Sequence, residues 1–181
     1  MRVALFDLEM SNLNADYGMI LCAVVQEYNT ECIMEPTIIR CDDMPSFEKY
    51  PWSDTQLAKA IKKELEQYDI IVGWNSVRFD IPFLNARLMQ AGATPVKRIK
   101  HIDLLYQARF KFKLSSNGLE NVQEFFNLRH KKSRIQGRNW TKAMRGDSAA
   151  MDYIVKHCIL DVQVLEEVYE KMKSLVNVIH N

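Results

Sequence analysis

Long apolar runs and closely spaced cysteines are both missing from this sequence. No apolar stretch in its 181 residues approaches the ~20 residues that a membrane-spanning helix needs. The four cysteines (Cys22, Cys32, Cys41 and Cys158) contain no C-x-x-C motif, which indicates reduced thiols rather than a disulfide framework. The N-terminal segment reaches an acid, Asp7, too early for the apolar core of a signal peptide. We therefore expect an intracellular, cytoplasmic protein.

A strong excess of charge is also absent, as are repeats, linkers and low-complexity tracts. The net charge is +1, with 48% hydrophobic and 26% charged residues, as in ordinary globular domains. The length suits one core, so we expect a single domain over residues 1–181. The charge is nevertheless uneven, because residues 97–145 hold thirteen Lys and Arg against three acids. Most charge runs are solvated faces, but this asymmetry favours a surface that binds a polyanion.

The first part of the chain has the patterns of three strands. The run "RVALFDL" is nearly continuous in apolar residues and predicts a strand buried on both faces. The segments "GMILCAVVQEY" and "TECIMEPTIIRC" predict two more strands, paired as an antiparallel hairpin through the turn "EYNTE".

Alternating helices and strands follow. "SDTQLAKAIKKELEQY" predicts an amphipathic helix with Ser53 and Asp54 as cap candidates, "DIIVGW" a strand, and "IPFLNARLMQAG" a helix closed by Gly92. "RIKHIDLL" predicts a fifth strand, "NGLENVQEFFNL" a short helix, residues 129–145 a basic loop, and residues 146–175 a final helix. The order predicts an α/β fold of three layers, with a mixed five-stranded sheet, three antiparallel strands and then two parallel ones, flanked by helices.

Two acids stand near the end of the first strand. Asp7 and Glu9 in "FDLEM" are two residues apart, so a strand points both to one face. Neighbouring carboxylates repel unless a proton or a cation lies between them, and Mg²⁺ or Mn²⁺ prefers such oxygen ligands. The alternative is two acids that extend from a strand end into water.

A third acid follows the strand "DIIVGW". Asp80 lies between Phe79 and the segment "IPF", and an acid in apolar surroundings is costly unless paired. It could instead cap the helix in which Pro82 takes an early position.

The final helix carries a histidine and a fourth acid. His157 and Asp161 are one turn apart, at one edge of an apolar stripe that includes Cys158. In the ordinary case, His157 would be a partly buried residue with satisfied hydrogen bonds, and Asp161 would form an ion pair along the helix. A zinc site with Cys158 is disfavoured, because Cys158 points to the centre of the stripe.

Taken together, the four acids can meet at one edge of the sheet. Sites in open α/β sheets form beyond the carboxyl ends of the strands. Four carboxylates there could hold two divalent ions about 3.5–4 Å apart across a phosphodiester.

The three motifs, in this order and spacing, resemble those of the DEDD (DnaQ-like) superfamily of 3′-to-5′ exonucleases, which have a ribonuclease H-like fold. The likeness covers nearly the whole chain: "FDLEM" is similar to the first motif, "NSVRFDIPFL" to the second, and "HCILDV" to the third. Asp103 in "HIDLL" fits the segment between the second and third motifs. The chain looks closest to stand-alone YprB-like members and to the exonuclease domains of family B DNA polymerases.

The third motif departs from both branches of that superfamily. One branch has Tyr four residues before the last Asp, and the other has His five before it. Here His157 is four residues before Asp161, and Lys156 is five before. His157 therefore occupies the position that tyrosine has in one branch, but it carries an imidazole ring. The resemblance implies that the residue at this position orients or deprotonates the attacking water.

The resemblance implies a two-metal exonuclease that uses Mg²⁺ or Mn²⁺ and acts on the 3′ ends of single-stranded nucleic acid, with DNA favoured. Asp7, Glu9, Asp80 and Asp161 would hold the metals. An exoribonuclease, an endonuclease of the same fold and a catalytically silent nucleic-acid-binding module remain alternatives. The sequence does not show whether a polymerase or a helicase is a partner.

Substrate contacts are expected in two places. Leu13 and Asn75 would contact the terminal nucleotide, as the resemblance implies. The basic segment would contact the phosphate backbone, with an aromatic ring available for stacking. Its candidate residues are Arg129, Lys131, Lys132, Arg134, Arg138, Trp140 and Lys142.

Overall fold

Five strands form one mixed sheet in the computed structural model, which describes residues 1–132, 137–177 and 179–180. The strands are β1 (Val3–Met10), β2 (Ile20–Glu27), β3 (Thr37–Arg40), β4 (Ile70–Gly73) and β5 (Lys100–Asp103). Their order across the sheet is β3-β2-β1-β4-β5. β1 pairs antiparallel with β2 and parallel with β4, and the outer pairs β2–β3 and β4–β5 continue these directions. The predicted α/β fold, with three antiparallel strands followed by two parallel ones, is confirmed.

Six α-helices of the described residues surround the sheet. They are α1 (Thr55–Leu65), α2 (Asp80–Gln90), α3 (Leu104–Lys111), α4 (Leu119–Phe125), α5 (Arg138–Met144) and α6 (Ser148–Met172). α6 crosses β1 and β2, whereas α1 contacts β2, β3 and α2. Phe6 and Leu8 on one face of β1 are buried, as are Leu5 and Glu9 on the other, so both faces of the central strand are covered. No described helix is long and apolar enough to cross a membrane.

Two helices differ from the sequence prediction. α3 starts directly where β5 ends, because the Asp103 carboxylate accepts the N–H of Leu105 at 3.0 Å and caps the helix. α5 lies inside the segment predicted to be a basic loop, and it packs against α6 with Ala143 buried. Short helices of this kind depend on tertiary packing more than on local propensity.

The strand β3 is also shorter than predicted. It begins just after Pro36, which lacks the N–H that a strand ladder needs.

The predicted cap of α1 has a different role. The Asp54 carboxylate caps no helical N–H. It accepts the backbone N–H of Ile20 at 2.8 Å and pairs with the Arg87 guanidinium at 2.8 Å. Arg87 also donates to the carbonyl of Ala15 at 3.1 Å. This buried pair therefore joins α1 and α2 to the loop between β1 and β2.

A C-terminal residue completes the outer edge of β5. His101 and His180 exchange two backbone hydrogen bonds of 2.8 Å each. The buried imidazole of His101 lies 2.8 Å from the Ser76 hydroxyl through Nε2. Burial, with a smaller effect of His180, lowers the pKa of His101 to about 4, so this ring is neutral at pH 7.

Candidate active site

The end of β1 presents its two acids toward α6. β4 pairs with β1 only as far as Leu5, and the register with β2 becomes irregular between Glu9 and Met10. Such irregularities often re-aim side chains beside functional sites. The Asp7 Oδ2 atom lies 3.4 Å from the Cys158 Sγ atom of α6, and Glu9 Oε1 lies 3.1 Å from His157 Nδ1. Both carboxylates thus face α6, as the strand period requires.

Asp80 is the first residue of α2 and is buried. The backbone N–H groups of Asp80 itself and of Leu8 donate to its carboxylate. The loop before it is fixed by the fully buried Asp103, which accepts the N–H of Asn75 at 3.0 Å and of Val77 at 3.1 Å. Asn75 has a φ of 61°, a left-handed conformation that Asn adopts more readily than most residues.

His157 and Asp161 reach the same place from α6. Both side chains are buried, and His157 Nδ1 lies 3.8 Å from Asp161 Oδ2 in addition to its contact with Glu9. Glu9, His157 and Asp161 each offer one ligand atom, and these atoms lie within 4.8 Å of one another. The positions predicted at the edge of the helix stripe are therefore inside a polar cluster.

The negative charge of the cluster has to be balanced by protons or by a cation. Burial, followed by the charges of Asp161, Asp80 and Glu9, raises the pKa of Asp7 well above its usual range. Burial also raises the pKa of Asp80 to about 7, with smaller contributions from Glu9 and Asp103, although the backbone N–H groups oppose this. Carboxylates in this situation take up protons or a cation.

A divalent cation fits this donor set. The Oδ1 atom of Asp161 is buried and has no hydrogen-bond partner among the residues that the structure describes. A buried, unpaired carboxylate oxygen is costly, and a hard cation would satisfy it. The surrounding donors are carboxylate oxygens, which Mg²⁺ and Mn²⁺ prefer, and one imidazole nitrogen, which suits Mn²⁺ better than Mg²⁺.

One cation from the chain already lies in the cluster. The Lys132 ammonium forms an ion pair with Asp161 Oδ2. Burial alone would lower the pKa of Lys132, but the charges of Asp161, Asp7 and Glu9 together raise it. The sequence placed Lys132 among the phosphate-binding candidates and gave no sign of this contact.

The chain around Lys132 is anchored from two helices. The Glu167 carboxylate of α6 accepts the backbone N–H of Arg129 at 2.8 Å and of His130 at 3.3 Å. The Gln123 side chain of α4 accepts the N–H of Lys132 at 2.6 Å. These contacts bring the start of the basic segment to the acidic cluster.

The remaining predicted residues lie around this centre. Leu13 is 76% exposed and lines a cleft with Phe79 and neighbouring residues. Trp140 is half-buried against the core, and its Nε1 has no partner in the described part of the chain. Arg134 lies outside the described residues. The side chains of Arg129, Lys131, Arg138 and Lys142 are exposed.

Comparison with known proteins identifies the family. A model of the RNase_H superfamily matches residues 4–173. The chain belongs to the RNase_H superfamily. The same fold occurs in the family B DNA polymerase of the hyperthermophilic archaeon Pyrobaculum calidifontis, with a TM-score of 0.69 and 20% sequence identity. That match covers 95% of this chain and 24% of the polymerase, and no curated protein matches the chain.

These matches confirm the resemblance to a ribonuclease H-like superfamily and the fold that it implied. At 20% identity, the likeness to the polymerase shows the fold alone. What this member of the RNase_H superfamily does must be inferred from its own cluster of acids.

Proposed function

We propose that this protein is a metal-dependent 3′-to-5′ exonuclease that releases nucleoside monophosphates from single-stranded nucleic acid, with DNA as the favoured substrate. One observation carries the proposal. Four acids from three separate elements meet in a buried cluster, in which burial raises the pKa of Asp7 and Asp80. Perturbed acids of this kind concentrate at functional sites.

Asp7, Glu9, Asp80 and Asp161 would hold two divalent ions, Mg²⁺ or Mn²⁺. When bound, such ions stabilise charge on a phosphodiester and make water more acidic. The unpaired Oδ1 atom of Asp161 and the mutual repulsion of the carboxylates support this role. Hydrogen bonds from the N–H groups of Leu8 and Asp80 would hold the Asp80 carboxylate in place.

His157 would act as the general base. Its Nδ1 contact with Glu9, at 3.1 Å, orients the ring, much as carboxylates orient the histidines of other sites. An imidazole can exchange protons near neutral pH, so His157 would accept the proton of the attacking water.

The nucleic acid would run over the basic surface. The exposed side chains of Lys131, Arg138 and Lys142 would contact phosphates, and Trp140 would stack on a base through its exposed part. Leu13 and Asn75 would contact the terminal nucleotide, since Leu13 lines the cleft beside the start of α2. A single strand suits this arrangement because stacking and phosphate contacts need no base pairing.

The test is a nuclease assay with Asp7→Asn. End-labelled single-stranded DNA and RNA are incubated with the wild type in Mn²⁺, Mg²⁺ or EDTA. We expect digestion only with metal, and a loss of at least roughly 10³-fold in Asp7→Asn, because a metal ligand is removed. Asp43→Asn is the matched control, since Asp43 is exposed in the 3₁₀ turn Cys41–Asp43, and it should keep full activity.

Other outcomes would assign another function. Internal fragments instead of mononucleotides would indicate an endonuclease. Digestion of RNA with DNA left intact would indicate an exoribonuclease. Binding without metal-dependent cleavage would indicate a silent nucleic-acid-binding module, and undiminished cleavage by Asp7→Asn would contradict the proposed site.

A further inference from the structure

We infer that Lys132 is a built-in counter-ion of the acidic cluster, which neutralises Asp161 in the metal-free protein and is displaced when a divalent ion binds. Lys132 would therefore set the metal affinity of the site. This inference rests on the proposed function, because it concerns the same four carboxylates.

The contacts of Asp161 carry the inference. Its Oδ2 atom pairs with the Lys132 ammonium, while its Oδ1 atom is buried without a partner in the described residues. A divalent ion that reaches Oδ1 would lie within a few ångström of the ammonium. The two cations would then repel each other, so they compete for one carboxylate.

The charge of the cluster explains why a counter-ion is needed. Asp7, Glu9, Asp80 and Asp161 carry four negative charges when ionised, and Asp161 is only 4% exposed. A buried charge without a partner is strongly destabilising. An ammonium on a flexible four-carbon stem supplies a charge that can leave again without moving the backbone.

The backbone of Lys132 is held while its side chain can move. Gln123 accepts the N–H of Lys132, and Glu167 binds the two N–H groups of Arg129 and His130. The Lys132 side chain is about one third exposed (35%). Displacement therefore needs only a change of rotamer toward solvent.

Mn²⁺ binding tests this inference directly. Free Mn²⁺ is measured by electron paramagnetic resonance during titration of the wild type, Lys132→Met, Lys132→Arg and Lys156→Met at pH 7.5. A unit charge about 5 Å from a divalent ion changes a binding constant by roughly tenfold even with water-like screening. We expect Lys132→Met to bind Mn²⁺ at least roughly tenfold more tightly than the wild type.

Two variants separate this effect from a general change of charge. Lys132→Arg keeps the counter-ion and should stay close to the wild type. Lys156→Met removes an equal charge from an exposed position beside His157 on α6, and it should change the affinity by less than about twofold, because exposed charges are screened.

Thermal unfolding supplies a second readout. In EDTA, Lys132→Met should melt below the wild type, because the carboxylates lose their counter-ion. Saturating Mn²⁺ should then raise its melting temperature by more than it raises that of the wild type.

The possible outcomes are distinct. If the wild type binds Mn²⁺ but Lys132→Met binds it equally or more weakly, Lys132 is no competitor and this inference fails while the proposed function stands. If the wild type binds no Mn²⁺, both the inference and the proposed function fail.

Discussion

Replacing Asp80 by Asn should stabilise the metal-free protein, and more so as the pH rises. In the folded chain, burial and neighbouring acids raise the pKa of Asp80 from 3.8 to about 7. The folded state therefore binds more protons than the unfolded state between these two values. Stability that is present below pH 4 is lost as the pH rises through 7.

The magnitude follows from the shift. A pKa raised by this much lowers the free energy of unfolding by about 4 kcal/mol at pH 8, since each pKa unit corresponds to roughly 1.4 kcal/mol. Because neighbouring acids share protons with Asp80, the free energy of unfolding should rise by somewhat less in Asp80→Asn, about 2–4 kcal/mol. For a chain of this length, that corresponds to a rise in Tm of roughly 4–16 °C.

The assay is urea unfolding in EDTA at pH 8 and pH 5, monitored by circular dichroism. The gain from Asp80→Asn should shrink to less than half at pH 5, because the folded wild type then keeps its proton on Asp80. Asp43→Asn, which removes an exposed carboxylate, should show no such difference. A loss of stability at pH 8, or an equal effect at both pH values, would refute the account of the cluster as a strained set of buried acids.

Between pH 7 and pH 4, His101 should lower the wild type's free energy of unfolding by about 3 kcal/mol, because its lowered pKa favours the unfolded state as the pH falls; in urea unfolding, the change over this range should therefore be more favourable in His101→Gln than in the wild type. Asp54→Ala should cost about 3–5 kcal/mol in the same assay because it leaves the Arg87 charge unpaired. His157→Ala should lower the cleavage rate by roughly 10²–10⁴-fold and flatten its profile from pH 5.5 to 9, whereas an unchanged profile would remove His157 as the base. Reversing the charges of Lys131 and Lys142 should reduce the salt slope of single-stranded DNA binding by about 0.7 for each lost phosphate contact, and an unchanged slope would mean that this surface is only solvated.

The sheet and the orientation of the acids on β1 could be predicted because both depend on local patterns. Apolar runs indicated the strands, and a spacing of two put Asp7 and Glu9 on one face. The helical spacing of His157 and Asp161 likewise predicted that they lie one turn apart. None of these predictions needs knowledge of distant contacts.

The contacts between elements could not be predicted in this way. Glu9 and His157 are 148 residues apart, and only the crossing of α6 over β1 brings them together. Asp103 lies in a strand as predicted, but the pattern gave no sign that its carboxylate caps α3 and fixes the loop before Asp80. Those hydrogen bonds join neighbouring strands at their ends, which a linear pattern does not encode.

The basic segment shows a second limit. Its charges predicted a solvated or phosphate-binding surface, and α5 was missed because a short helix has little signal of its own. Lys132 enters the acidic cluster because Gln123 and Glu167 hold the chain there. Composition gives the number of charges in a segment but not which one turns inward.

The most direct measurement is the product pattern from a single-stranded oligonucleotide labelled at its 5′ end and incubated with Mn²⁺. The proposed function predicts a ladder that shortens one nucleotide at a time from the 3′ end, with nucleoside monophosphates as the products. A label released at once as a mononucleotide, fragments from internal cuts, or no cleavage at all would contradict it.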